Sequence, residues 1–88
     1  MEYKVEFTPD AIKSVSKLSK VIQTQIKDKI FWLSNNSGTI THKKLKGKYF
    51  ENVFKLRLGD YRILYTINKA RKIIIIEFVG HRKDIYKT

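Results

Sequence analysis

VFKLRLGDYRILYTI, residues 53–67, alternates apolar and polar side chains on both sides of Gly59-Asp60. Successive side chains of an extended chain point to opposite faces. Phe54, Leu56 and Leu58 therefore share one face, and Lys55 and Arg57 the other. Gly59-Asp60 supplies a tight reversal. Beyond it, Ile63, Tyr65 and Ile67 continue the apolar face, while Arg62 has the opposite parity and can join Lys55 and Arg57. The segment reads as a β-hairpin, apolar on one side and cationic on the other. Antiparallel strands can bury one face and leave the other to solvent.

The flanking sequence supplies what the apolar side packs against. Lys72 to Val79 reads as a third strand, with Ile74, Ile76 and Phe78 on one face and Ile73 and Ile75 on the other. Residues 2–7 read as another strand, with Tyr3, Val5 and Phe7 aligned. Thr8 then suits a helix N-cap, with Pro9 at the first helical position and Asp10 in the first turn. Ala11 or Ile12, Val15 and Leu18 give a helix over 9–18. Ser19 can cap a second helix, in which Ile22, Ile26, Ile30 and Leu33 recur at helical spacing. Asn35, Asn36, Ser37 and Gly38 are turn formers and predict its end near Ser34. Phe31 and Trp32 read as core or rim packing. Residues 37–49, SGTITHKKLKGKY, form a polar, lysine-rich connection in which His42 reads as a surface residue. The expected fold is α+β and a single domain over 1–88. An antiparallel sheet of about four strands carries an N-terminal helical hairpin on one face, in the order β-α-α-β-β-β.

Composition narrows the function. The chain has no cysteine, so disulfides and thiolate metal sites are excluded. Its two histidines have no nearby carboxylate pair, so neither a metal nor a cofactor is expected. The longest apolar run, Ile73 to Ile76, stops at Glu77 and is far too short to cross a membrane. The N-terminus MEYKVEF lacks the apolar stretch of a signal peptide, and the expectation is a cytoplasmic protein. Nineteen basic against eight acidic residues give a net charge of +11. Residues 1–36 hold six basic and four acidic side chains, and residues 37–88 thirteen and four, so the excess lies in the second part. A concentrated field of one sign favours a polyanionic partner: RNA, DNA or an acidic protein.

The cationic face has the residue types that phosphodiester cleavage requires. A scissile phosphate must be held and its added charge stabilised. A base must take the proton of the attacking hydroxyl and an acid must protonate the leaving oxygen. The planar fork of arginine engages two phosphate oxygens at once. Lysine offers a compact charge whose pKa falls near other cations, and tyrosine can act as base only where cations lower its pKa. Lys55, Arg57, Arg62, Arg82 and Tyr86 are the candidates. Histidine titrates near neutrality, which makes His81 a candidate acid or base; its alternative role is to orient the tail after Gly80. Lys43, Lys44, Lys46 and Lys48 look like a phosphate-facing stripe that adds affinity without sequence choice.

At these residues the chain resembles the RelE/ParE toxin superfamily, and the RelE branch more closely. The resemblance rests on LKGKYFENVFKLRLGDYRILY (45–65) and VGHRKDIY (79–86), supported by MEYKVEFTPDAIKSVSKL at the start, and so spans nearly the whole chain. It implies the toxin of a type II toxin–antitoxin system: an mRNA interferase that works in the ribosomal A site, inhibits translation, uses the RNA 2′-hydroxyl as nucleophile and needs no metal. By that resemblance Lys55 stabilises charge or transfers a proton, and Arg62 holds the scissile phosphate. Arg82 lies near the leaving group, Tyr86 stacks on a base or acts as general base, and Arg57 helps hold the RNA. One position departs from the best-known RelE pattern: Val53 stands where that pattern has a further lysine. The implied partner is a cognate acidic antitoxin, through which alone operator DNA would be reached. Two other readings fit the same resemblance: a ParE-like gyrase-inhibiting toxin, and a catalytically degenerate toxin that mainly binds its antitoxin.

Overall fold

The computed structural model describes residues 3–45 and 52–85. Its elements are β1 (Lys4–Phe7), α1 (Pro9–Ser16), α2 (Lys20–Asn36), β2 (Lys43–Lys44), β3 (Phe54–Leu58), β4 (Tyr61–Asn68) and β5 (Ile73–His81). The fold is α+β, as expected, with both helices before the hairpin. The sheet runs β1-β5-β4-β3-β2. The expectation of an all-antiparallel sheet of about four strands needs two corrections. The two-residue β2 adds a fifth strand, antiparallel to β3, and β1 lies parallel to β5. Alternation identifies a strand but not its neighbour, and the partner of β1 is β5, some seventy residues further along the chain.

The helix starts follow their caps. Thr8 Oγ1 accepts from the Ala11 N–H at 3.1 Å and Ser19 Oγ from that of Ile22 at 3.3 Å, each satisfying a donor that the first helical turn leaves open. Ala11 is fully buried and Ile12 exposed, which settles the face of α1. Ala11, Ile26, Ile30 and Leu33 meet Ile63, Tyr65, Ile74, Ile76 and Val79 of the sheet in one core.

α1 also completes the edge of β5. Register with β1 ends at the pair Phe7↔Ile76, so the next stretch of β5 has no strand on that side. Thr8 Oγ1 donates to the Glu77 carbonyl at 3.2 Å, and buried Ser14 Oγ accepts the Val79 N–H at 3.0 Å. An unpartnered buried amide would cost about 1–3 kcal/mol, which the Ser14 hydroxyl avoids.

One irregularity shapes the outer face. Leu64 pairs with Phe78 but Tyr65 with Ile76, so Glu77 is the extra residue of a β-bulge. The bulge reverses the alternation after Ile76. Phe78, expected beside Ile74 and Ile76, points to the opposite face, and Val79 joins the main core. There Phe78 and Val53 border a second cluster of buried Leu45, Leu64 and Ile85.

Phe31 and Trp32 also differ from expectation. Phe31 is 67% exposed, and Trp32 is exposed beneath Lys29, whose Nζ lies 4.4 Å from the ring centroid. Phe31 joins Val5, Phe7, Ile26 and Ile30 along an apolar groove of about 670 Å³ between α2 and β1, with Lys20 and Lys27 also on its walls.

Candidate nucleic-acid interface

The hairpin register places cations opposite one another. Arg57 pairs with Arg62 and Lys55 with Leu64. Directly opposed residues of an antiparallel pair share a face, so Lys55, Arg57 and Arg62 lie together on the side away from the helices. Arg62 in turn pairs with Gly80. A Cβ built on Gly80 would stand 2.7 Å from the Phe78 ring, so glycine lets that ring lie close over the strand.

The Gly59-Asp60 turn organises both arginines at this end of the sheet. Gly59 has φ +57°, in the left-handed region where glycine carries no steric penalty. Arg62 Nη1 donates to the carbonyls of Gly59 and Tyr61, each at 2.9 Å. The Arg82 N–H donates to the Asp60 carbonyl at 2.7 Å. Arg82 Nε stands 3.9 Å from Asp60 Oδ1, an exposed pair that contributes little. The tail is also held from beyond: Asp84 N–H donates to the His81 carbonyl at 2.8 Å, and Ile85 is buried against Leu45 and Leu64. Lys55, Arg57, Arg62, Arg82 and Lys83 consequently line one open depression of about 550 Å³.

The remaining candidates separate. His81 pairs with Tyr61 and packs edge-on against its ring, 5.6 Å between centroids, on the helix-side face. Its Nδ1 accepts the Lys83 N–H at 3.2 Å, which orients the tail turn. Lys43 pairs with Lys55 and shares its face, whereas Lys44 pairs with Phe54 on the other. Lys46, Lys48 and Tyr86 lie outside the described residues.

His42, expected on the surface, is half-buried. Its Nε2 lies 3.0 Å from the Ser37 carbonyl and its Nδ1 2.6 Å from the Tyr65 hydroxyl. A carbonyl can only accept, so Nε2 carries the proton and the phenol donates to Nδ1. The Phe54 ring completes the cage, 5.5 Å from the imidazole. Sequence gave one usable signal for this arrangement: the central strand puts a tyrosine among aliphatic residues, and a buried phenol seeks a partner.

Burial pushes the Tyr65 pKa up from 10.0 to about 12, which removes it as a base near neutral pH. The same rise sets a stability window. Below pH 10 the phenol is protonated in folded and unfolded chains, and its contribution is whole. As pH climbs from 10 toward 12 only the unfolded chain ionises, so the contribution drains away. A rise of this size is worth roughly 3 kcal/mol. Denaturant midpoints of wild type and Tyr65→Phe should therefore converge over that interval, the wild type falling faster.

Residues 5–86 match the family described as ParE toxin of type II toxin-antitoxin system, parDE. The chain belongs to the RelE/ParE toxin family. A putative RelE-like toxin protein of Escherichia coli is 35% identical over 98% of this chain and 92% of its own. The mRNA interferase toxin RelE of Escherichia coli K12 is 29% identical over 94% of this chain and 86% of its own. Among solved structures, a chain of the toxin–antitoxin complex RelBE2 of Mycobacterium tuberculosis superposes with a TM-score of 0.81. It is 30% identical, covering 96% of this chain and 95% of that one. These matches make the protein a RelE-like toxin of a type II system.

Lys83 and Ile85 were not singled out by sequence. Lys83 lines the depression, and Ile85 anchors the segment that brings Arg82 to it. The signal for Ile85 is its isolation as the only aliphatic side chain in HRKDIY.

Proposed function

We propose that this RelE-like toxin is an endoribonuclease that cuts mRNA on the ribosome and so inhibits translation. The observation that carries the reading is the convergence of Lys55, Arg57, Arg62 and Arg82 on one open depression of the sheet. A phosphate there meets guanidinium forks from β3, β4 and the turn after β5, which suits the extra negative charge of a pentacoordinate phosphorus. The RNA 2′-oxygen attacks the adjacent phosphorus and the bond from phosphorus to the 5′-oxygen breaks. A 2′,3′-cyclic phosphate and a 5′-hydroxyl result. Arg62 and Arg57 hold the phosphate, and Arg82 faces the departing oxygen. Lys55 stabilises charge or moves a proton. Tyr86 is the candidate base or stacking group by family resemblance. His81, on the other face, orients the tail. The cations supply the charge stabilisation that a metal ion supplies elsewhere, so the chemical step itself is expected to need no metal.

An acidic antitoxin is the proposed restraint. The relative from Mycobacterium tuberculosis was solved as a toxin–antitoxin complex. The apolar groove between α2 and β1, with Lys20 and Lys27 on its walls, suits an amphipathic acidic segment that folds as it binds. Operator DNA would be reached through that partner.

Mapping RNA 5′ ends after induction tests the reading. New 5′-hydroxyl ends inside translated regions, lost when translation is blocked, are expected. Growth arrest with DNA damage and intact mRNA would replace the reading by gyrase inhibition. Unimpaired growth would replace it by antitoxin binding alone.

A further inference from the structure

We propose that Lys43 adds a second phosphate subsite beside the Arg57–Arg62 pair, with Lys55 standing between the scissile phosphate and its neighbour and serving both. The nucleic-acid backbone would then run along β3 with two successive phosphates over two cationic cross-strand pairs. The inference rests on the reading of this face as an RNA interface and specifies how the strand lies on it.

The register is the first argument. Lys43 opposes Lys55 and Arg57 opposes Arg62. Lys55 and Arg57 are two residues apart on one strand, about 6.8 Å, a spacing comparable to that of neighbouring phosphates. Like charges placed directly opposite destabilise a sheet, and the protein carries two such pairs side by side. An anion over each pair converts the repulsion into binding energy.

The second argument is the anchoring of Lys43. A two-residue strand at a sheet edge has few ladder bonds to fix it. The preceding residue, His42, is fixed instead, through both ring nitrogens, to Tyr65 and Ser37. With His42 held on the core side, alternation turns Lys43 outward beside Lys55. Leu45, two residues on, points the same way into the second apolar cluster. His42 is thus a positioning residue for the subsite.

The third argument limits its length. Val53, the next residue of this face along β3, packs against Leu45, Leu64 and Ile85. Among the described residues the cationic run stops there, after two pairs.

The test measures binding of 2′-O-methyl oligonucleotides, which lack the nucleophile: a dinucleotide with one phosphate and a trinucleotide with two. Wild type should bind the trinucleotide about tenfold more tightly. Lys43→Ala should remove most of that gain, leave dinucleotide affinity unchanged, and lower the salt slope for the trinucleotide by about one. His42→Ala should reproduce the loss without removing a cation, and Lys43→Arg should restore it. Equal trinucleotide binding by wild type and Lys43→Ala, with dinucleotide binding still sensitive to Arg62→Ala, would overturn the subsite alone. Binding of neither oligonucleotide by wild type would overturn the subsite together with the RNA reading of this face.

Discussion

Alanine at both Arg62 and Arg82 is expected to abolish growth arrest and mRNA cleavage while the protein stays folded. The loss follows from where the charge develops. Both guanidinium groups border the same depression beside the same turn: Arg62 donates to the carbonyls of Gly59 and Tyr61 through Nη1, and the backbone N–H of Arg82 donates to the Asp60 carbonyl. Removing one donor to a developing oxyanion typically costs about 10²–10³ in rate. Two groups acting on one phosphate need not add, so roughly 10² is the least loss expected. Stability should move differently. Neither side chain lies in a core cluster. Arg62→Ala also removes a like charge facing Arg57, a change that favours the folded sheet by a few tenths of a kcal/mol. Against that, Arg62→Ala gives up its hydrogen bonds to the Gly59 and Tyr61 carbonyls, so the double variant should unfold within about 1–2 kcal/mol of wild type. Activity lost with stability kept separates a chemical defect from unfolding. Full toxicity of the double variant would remove the proposed phosphate site.

What could be read from the sequence was what a period of two or 3.6 encodes. The faces of the hairpin, with Lys55, Arg57 and Arg62 on one side, needed only alternation and one turn. The helix starts needed only Thr8, Pro9 and Ser19. The misreadings arose where a non-local partner decides the outcome. Phe78 looked like a neighbour of Ile76 because a bulge at Glu77 leaves no mark in a pattern of apolar residues. His42 looked like surface because its partners, Ser37 and Tyr65, are polar atoms that only the folded chain brings together. For Phe31 and Trp32 the sequence leaves core and rim open; α2 turns them outward because Ile26, Ile30 and Leu33 already fill its inner face. The parallel docking of β1 on β5 belongs to the same class. Arg82 could be named from sequence, but the reason it meets Arg62 could not, since that depends on Ile85 crossing the outer face.

Ile85→Ala is expected to impair cleavage although it removes no polar atom. Ile85 fills a small cluster with Leu45 and Leu64 and lies three residues beyond Arg82 and one before Tyr86. Truncating a buried isoleucine costs about 2–5 kcal/mol where the surroundings cannot collapse. This cluster has only three buried residues, so the cost should fall at or below the low end of that range. It should be spent locally, by release of residues 82–85, rather than on the main core. Hydrogen exchange reads this directly: the Arg82 amide, bonded to the Asp60 carbonyl, should lose protection while the amides of β4 keep theirs. Activity should fall by about 10–100-fold, because small misplacements of a catalytic group are costly. Binding of a dinucleotide through Arg57 and Arg62 should change far less. Ile85→Leu, which keeps the volume, should retain most of both properties. Wild-type turnover by Ile85→Ala would mean that the backbone hydrogen bonds of Arg82, Lys83 and Asp84 suffice to place the tail. The second apolar cluster would then serve stability alone.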